Sequence, residues 1–99
     1  MSDSAPPPRA LVLSDKDNVA TILGGSERGA SIWIGSARVP CLDPVPHGHN
    51  LAIVPIARGD KIVKFGAPIG TAIRDIARGE HVHVHNVASD YTCTHQGHA

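Results

Sequence analysis

Short apolar runs broken by glycine, proline and charge set the texture of this chain. Ala10-Leu11-Val12-Leu13 reads as a short strand. Ser14-Asp15-Lys16-Asp17 then supplies turn and helix N-cap chemistry, and Asn18-Val19-Ala20-Thr21-Ile22-Leu23 is expected to form a short helix stopped by Gly24-Gly25. Val19, Ile22 and Leu23 fall at helical spacing and form its expected buried side. After Gly29 the pattern turns to β. Ser31-Ile32-Trp33-Ile34 pairs with Ala37-Arg38-Val39-Pro40-Cys41 as a hairpin, and Leu51-Ala52-Ile53-Val54, Lys61-Ile62-Val63-Lys64 and Ile69-Gly70-Thr71-Ala72-Ile73 follow. Strands this short and close predict a single, mainly β domain with one short helix over residues 10–88. The Pro-rich residues 1–9 read as a disordered lead and residues 89–99 as a flexible tail.

The last β-like run carries the most chemistry. His81, His83 and His85 alternate with Val82 and Val84, so a strand here would line three imidazoles on one face and turn the valines to the other. Imidazole is both the neutral-pH proton carrier and the commonest metal ligand. An ordinary solvated strand face gives the same alternation without chemistry, although it is usually built from Thr, Lys, Glu or Arg. Pro46-His47-Gly48-His49-Asn50 adds a second cluster, in which Gly48 lets backbone approach a ligand and His49 shares parity with Leu51 and Ile53. An inward His49 would equally serve as a hydrogen-bonded structural residue. No spacing here is a specific metal signature, since His-x-His alone is weak. Glu80 alternates away from His81, and Lys64 offers a cation for a carboxylate. Cys93, His95 and His98 sit in the tail, where a specific site is not expected.

Ile56-Ala57-Arg58-Gly59-Asp60 recurs as Ile76-Ala77-Arg78-Gly79-Glu80. Two copies do not make a solenoid, which needs three, so the echo predicts equivalent turns in a small pseudo-symmetric β unit.

Composition narrows the function. In 99 residues, nine basic and nine acidic side chains cancel to a formal charge of zero, which argues against phosphate-neutralising nucleic-acid binding. Trp33, Phe65 and Tyr91 are too few to stack bases. The N-terminal residues lack an apolar signal region, and no apolar run approaches the roughly 20 residues of a membrane span. A cytoplasmic protein with Cys41 and Cys93 reduced is therefore expected. A chain of this length buries roughly 60–65% of its unfolded surface, enough for a modest core but not also for a deep private active site.

Pro46-x-Gly48-His49, Ile56-x-x-Gly59-Asp60, Ile62-x-Lys64-Phe65-Gly66, Ile69-Gly70, Ile76-x-x-Gly79-Glu80 and the run from His81 to Asn86 occur in that order. This order resembles the small N-terminal module of the altronate/galactarate dehydratase family, a SAF-type domain with a β-clip fold. Asp17-Asn18-Val19-Ala20 is similar to that module's first helix. The resemblance spans residues 10–88. It implies a module either fused to a large catalytic domain or made as a separate small subunit, and this chain resembles the separate form. Members eliminate water from sugar acids, typically with a divalent metal, often iron; a related branch, sulfolactate sulfo-lyase, eliminates sulfite.

By that resemblance the chain is the small subunit of a two-component hydro-lyase, inactive alone, with the metal held mainly by the large catalytic partner. His49, His83 and His85 would act in catalysis, Lys64, His81 and Asn86 would bind a small acidic substrate, and His83 and His85 would be the candidate metal ligands. Asn50 stands where many relatives carry Lys, so another cation would have to hold the anion. Without its partner the chain would be a candidate homo-oligomer. The alternatives are a sulfo-lyase subunit, a non-catalytic histidine-based metal- or ligand-binding module, and a structural adaptor.

Overall fold

A computed structural model describes residues 9–89. Within them the chain is all β, with nine short strands: β1 Arg9–Leu11, β2 Val19–Leu23, β3 Ser31–Ile34, β4 Ala37–Pro40, β5 Asn50–Ala52, β6 Lys61–Lys64, β7 Ala67–Ala72, β8 His81–Val82 and β9 Val87–Ser89. They form a four-stranded sheet in the order β1-β2-β5-β8, a β3-β4 hairpin and a β6-β7-β9 sheet, with every pairing antiparallel.

The expected helix is a strand. Val19–Leu23 lies between β1 and β5, with Ala20 opposite Leu51 and Ile22 opposite Ala10. Its run of buried residues comes from two cores, not from one helical stripe. Val19 joins Ala52, Ile56, Ile62, Ala72, Ile76 and Val82, whereas Ala20 and Ile22 join Ile32, Val39, Cys41, Val45 and Leu51. A strand buried on both faces loses its alternation, and a short continuous apolar run cannot be told from a helix by period. The β-branched Val19, Thr21 and Ile22 suit the pleat.

The repeat is deeper than the sequence echo. Four five-residue turns, at 26–30, 45–49, 56–60 and 76–80, share one construction. In each, the fifth amide donates to the second carbonyl at 2.9–3.1 Å. The fourth residue is Gly29, Gly48, Gly59 or Gly79, with φ of 91°, 84°, 91° and 92°. A type II turn requires this positive φ at its third corner, which is why glycine recurs there. The turns bridge in pairs, Ser26 with Val45 and Ile56 with Ile76. The β3–β4 hairpin lies between the first pair and the β6–β7 hairpin between the second. The pseudo-symmetric unit expected from residues 56–60 and 76–80 is therefore present, and residues 26–30 and 45–49 form its other half.

Asp17 and Asn18, expected to open a helix, instead fasten the second hairpin. Asp17 Oδ2 accepts from the amides of Leu13 and Ser14 at 3.1 and 3.3 Å, and Oδ1 accepts from Gly66 at 2.7 Å. Burial pushes the Asp17 carboxyl up, but the amides of Gly66, Leu13, Phe65 and Ser14 outweigh it and hold the group below its ordinary 3.8. The contact secures the β6–β7 turn, where Phe65 takes a φ of 56°, a region that bulky side chains avoid. Asn18 accepts from Val63 N and donates to Lys61 O, both at 2.8 Å.

Arg9, expected in the lead, belongs to β1; residues 1–8 and those from Asp90 on, with Cys93, His95 and His98, lie outside the described residues. No described helix is long and apolar enough to cross a membrane.

Candidate functional site

The three-histidine strand face is not what forms. β8 ends at Val82, and residues 83–86 turn before β9. Val82 is buried, but Val84, expected on the same inner face, is 78% exposed. The cause is Asn86, which is wholly buried and closes the turn. Its Oδ1 accepts from His83 N at 2.9 Å, its Nδ2 donates to His81 O at 2.9 Å, and its own amide donates to His83 O at 3.1 Å. The substrate contact expected of Asn86 does not fit a side chain enclosed and bonded in this way.

The turn nevertheless gathers imidazoles. It brings His81 and His83 to His49, which closes the 45–49 turn just before β5, and β5 pairs with β8. His49 Nδ1 lies 2.9 Å from His81 Nε2, a separation that requires one nitrogen to donate and the other to accept. The His49 and His83 rings stack with centroids 3.9 Å apart, and the His81 and His83 centroids are 5.7 Å apart. His49 and His81 are half-buried and His83 is exposed. One nitrogen from each of these three rings falls within 4.8 Å of the others. An all-imidazole donor set suits zinc, iron, copper or nickel, and the 2.9 Å pair is already close enough to share an ion. His85, expected as a ligand beside His83, lies outside this trio; its ring comes back against His81, 5.1 Å away and tilted by 36°, because the chain turns rather than extends.

Lys64 is not brought to the histidines. Its Nζ sits 5.2 Å above the Phe65 ring on the β6–β7 hairpin. Glu80 caps its own turn, accepting from Ala77 N at 2.8 Å, and pairs with Arg74 at 3.5 Å. His47 also serves the fold, its Nδ1 accepting from Gly24 N at 2.7 Å. An open groove of about 370 Å³ runs beside the trio, floored by Ile62, Ile69, Val82 and Val87, with Asn50 and His83 in its lining. Asn50 Oδ1 accepts from Thr21 Oγ1 at 2.9 Å.

Asp43 is the functional neighbour that sequence reasoning missed. Its Oδ2 accepts from His81 N at 3.0 Å, across 38 residues of chain. Nothing in Leu42-Asp43-Pro44 signals this role, because the pairing exists only once the 45–49 turn stands beside β8.

Burial pushes the His81 imidazole below its ordinary 6.5; the charges of His85, His49 and His83 push the same way, and only Asp43 opposes. The folded state therefore binds fewer protons at His81 than the unfolded chain does. That contribution to stability is present above about pH 6.5 and is lost as pH falls through the lower folded value. Urea midpoints should fall between pH 7.5 and pH 5.5, above the carboxylate range, and His81→Gln should flatten the slope. A slope unchanged in that variant would assign the effect elsewhere.

A small all-β module presenting clustered imidazoles beside an open groove is thus the class that fold and site define. Residues 8–90 match the family model described as the altronate/galactarate dehydratase SAF domain, and the chain belongs to that family. It is 39% identical over 74 residues to altronate dehydratase of Escherichia coli (strain K12), covering 75% of this chain and 15% of that protein. The corresponding enzyme of Bacillus subtilis (strain 168) is 37% identical over 80 residues, 81% of this chain and 16% of that protein. (2R)-Sulfolactate sulfo-lyase subunit alpha of Chromohalobacter salexigens is 47% identical over 85 residues, 78% of this chain and 90% of that subunit. The chain therefore spans about one sixth of the dehydratases it matches but most of the sulfo-lyase subunit.

Proposed function

We propose that this chain is the small subunit of a two-component lyase that acts on a sugar acid or similar 2-hydroxy acid. The observation that carries the reading is the His49–His81–His83 trio, assembled at an open surface and not inside an enclosed cavity. Such a site needs a second surface to exclude water and hold substrate. The larger catalytic chain of the same enzyme would supply it, in keeping with the small share of the dehydratases that this module spans.

The reaction is a β-elimination. A base removes the proton from the carbon next to the carboxylate, and the electron pair forms a double bond as the leaving group departs from the neighbouring carbon. The resulting enol takes up a proton at the carbon the leaving group left and loses its hydroxyl proton, giving a 2-oxo acid. When hydroxide leaves it requires a proton and departs as water. The hydrogen-bonded His49–His81 pair can hold and pass one proton, and exposed His83, stacked on His49, would exchange it with substrate. His85, on the same turn, is the candidate outer contact for the acid's carboxylate. A divalent metal such as iron would be held mainly by the partner, with His49, His81 and His83 as this chain's available donors. Bound there, it would polarise the substrate carboxylate and 2-hydroxyl.

A sulfo-lyase reading, in which sulfite leaves without a proton, is favoured by the 47% identity across 90% of the sulfo-lyase subunit alpha. Purified large and small chains, assayed apart and together with altronate, galactarate and sulfolactate, test both. The mixture should turn over one of these acids while the small chain alone turns over none. Full activity of the large chain alone would sink the proposal, and the acid consumed separates water from sulfite elimination.

A further inference from the structure

Both backbone polar groups of His81 are held by side chains outside the sheet ladder. Its N–H is taken by Asp43 Oδ2 at 3.0 Å, and its C=O by Asn86 Nδ2 at 2.9 Å. The β5–β8 ladder reaches the chain on either side, through Ala52 N to Glu80 O and the pairing of Asn50 with Val82. Asn86 also binds His83 at both its amide and its carbonyl. The same two residues thus set the backbone from which two of the three clustered imidazoles project.

We propose that Asp43 and Asn86 form a positioning clamp for the imidazole trio, with Asp43 fixing the His81 ring against His49. Asn86 is anchored in turn through its own carbonyl, which accepts from Ile73 N, one residue past β7, at 3.0 Å. Asp43 lies just ahead of the 45–49 turn that carries His49, so its bond to His81 ties the two imidazole-bearing segments together. The carboxylate also opposes the like-charge effect of the neighbouring rings on His81. Neither residue touches substrate in this arrangement; each acts through the histidines.

The positional part of the proposal stands on geometry alone, and only its effect on turnover rests on the lyase reading above. Asp43 is only half-buried, which makes Asp43→Ala the variant of choice, with Asp43→Asn as the conservative control because its amide oxygen still accepts from His81 N. Nuclear Overhauser contacts between the His49, His81 and His83 rings are measured in the full chain. Asp43→Ala should keep a dispersed β spectrum but lose or weaken the His49–His81 contacts, and Asp43→Asn should restore them. In the assembled enzyme kcat should fall by roughly 10–100-fold with KM little changed, as when groups that orient catalytic ligands are removed. Ring contacts unchanged in Asp43→Ala would overturn the clamp. Altered ring contacts with full turnover would uphold the clamp and reject the lyase role of the trio.

Discussion

On the function proposed above, replacing His83 with alanine is expected to lower turnover of the assembled enzyme by about 10²–10⁴-fold, the range that a positioned acid–base group supplies. His83 combines the properties the chemistry asks for. It is exposed, it lines the groove, and its ring stacks on His49 at 3.9 Å, with the hydrogen-bonded His81 behind. An exposed ring contributes little to the core, so the melting temperature should move by no more than a few degrees while kcat collapses. His49→Ala should cost a similar factor in rate, but with more loss of stability, because His49 is half-buried and bonded to His81. The two losses should not add in the double variant, since residues acting as one relay are non-additive. Undiminished turnover in both single variants would remove the trio from the reaction.

The largest structural effect is expected at Gly79, and its pseudo-equivalent Gly59 provides the control. Both hold the same turn position, with φ of 92° and 91°, so alanine carries the same backbone penalty of about 1 kcal/mol at either site. Their surroundings differ. A Cβ on Gly59 meets nothing within 4 Å. A Cβ on Gly79 would collide with the carbonyl oxygen of Pro40 and come within 3.2 Å of Leu42 Cγ. Pro40 O is backbone, and Gly79 is locked in place by bonds from its amide to Ala52 O at 2.7 Å and from Leu42 N to its carbonyl at 2.8 Å, so neither side can yield cheaply. Overpacking adds about 1–3 kcal/mol to the backbone penalty. At roughly 4–8 °C per kcal/mol for a domain of this size, Gly59→Ala should lower the melting temperature by several degrees and Gly79→Ala by about 10–30 °C. Equal shifts in calorimetry would show that the crowding at Pro40 is not real.

The contrast between these glycines shows the reach of sequence. The Ile-Ala-Arg-Gly echo announces equivalent turns at 56–60 and 76–80, and the structure contains them. Ser26-Glu27-Arg28-Gly29 and Val45-Pro46-His47-Gly48 build the same turn with other residues, because the turn demands only glycine at one corner and an internal amide-to-carbonyl bond. Six of the strands, β1 and β3 to β7, are legible from their apolar runs and bounding turn residues. Two failures have a common origin. Val19–Leu23 reads as helix because two separate cores bury its opposite faces, and the histidine run reads as one strand because its alternation continues past the point where Asn86 ends the pairing.

By itself, then, the sequence determines a β-rich chain, glycine-cornered turns, family membership and two histidine segments worth pursuing. Each of these rests on local preference or on ordered motifs along the chain. The tertiary structure alone decides which histidines meet. His49 reaches His81 and His83 because β5 pairs with β8 across about thirty residues. His85 stays outside the donor trio because a buried asparagine bends the chain away, and Lys64 stays on its own hairpin. Those outcomes depend on long-range hydrogen bonds and on the packing of two cores, and pairings between distant segments leave no periodic trace in the sequence.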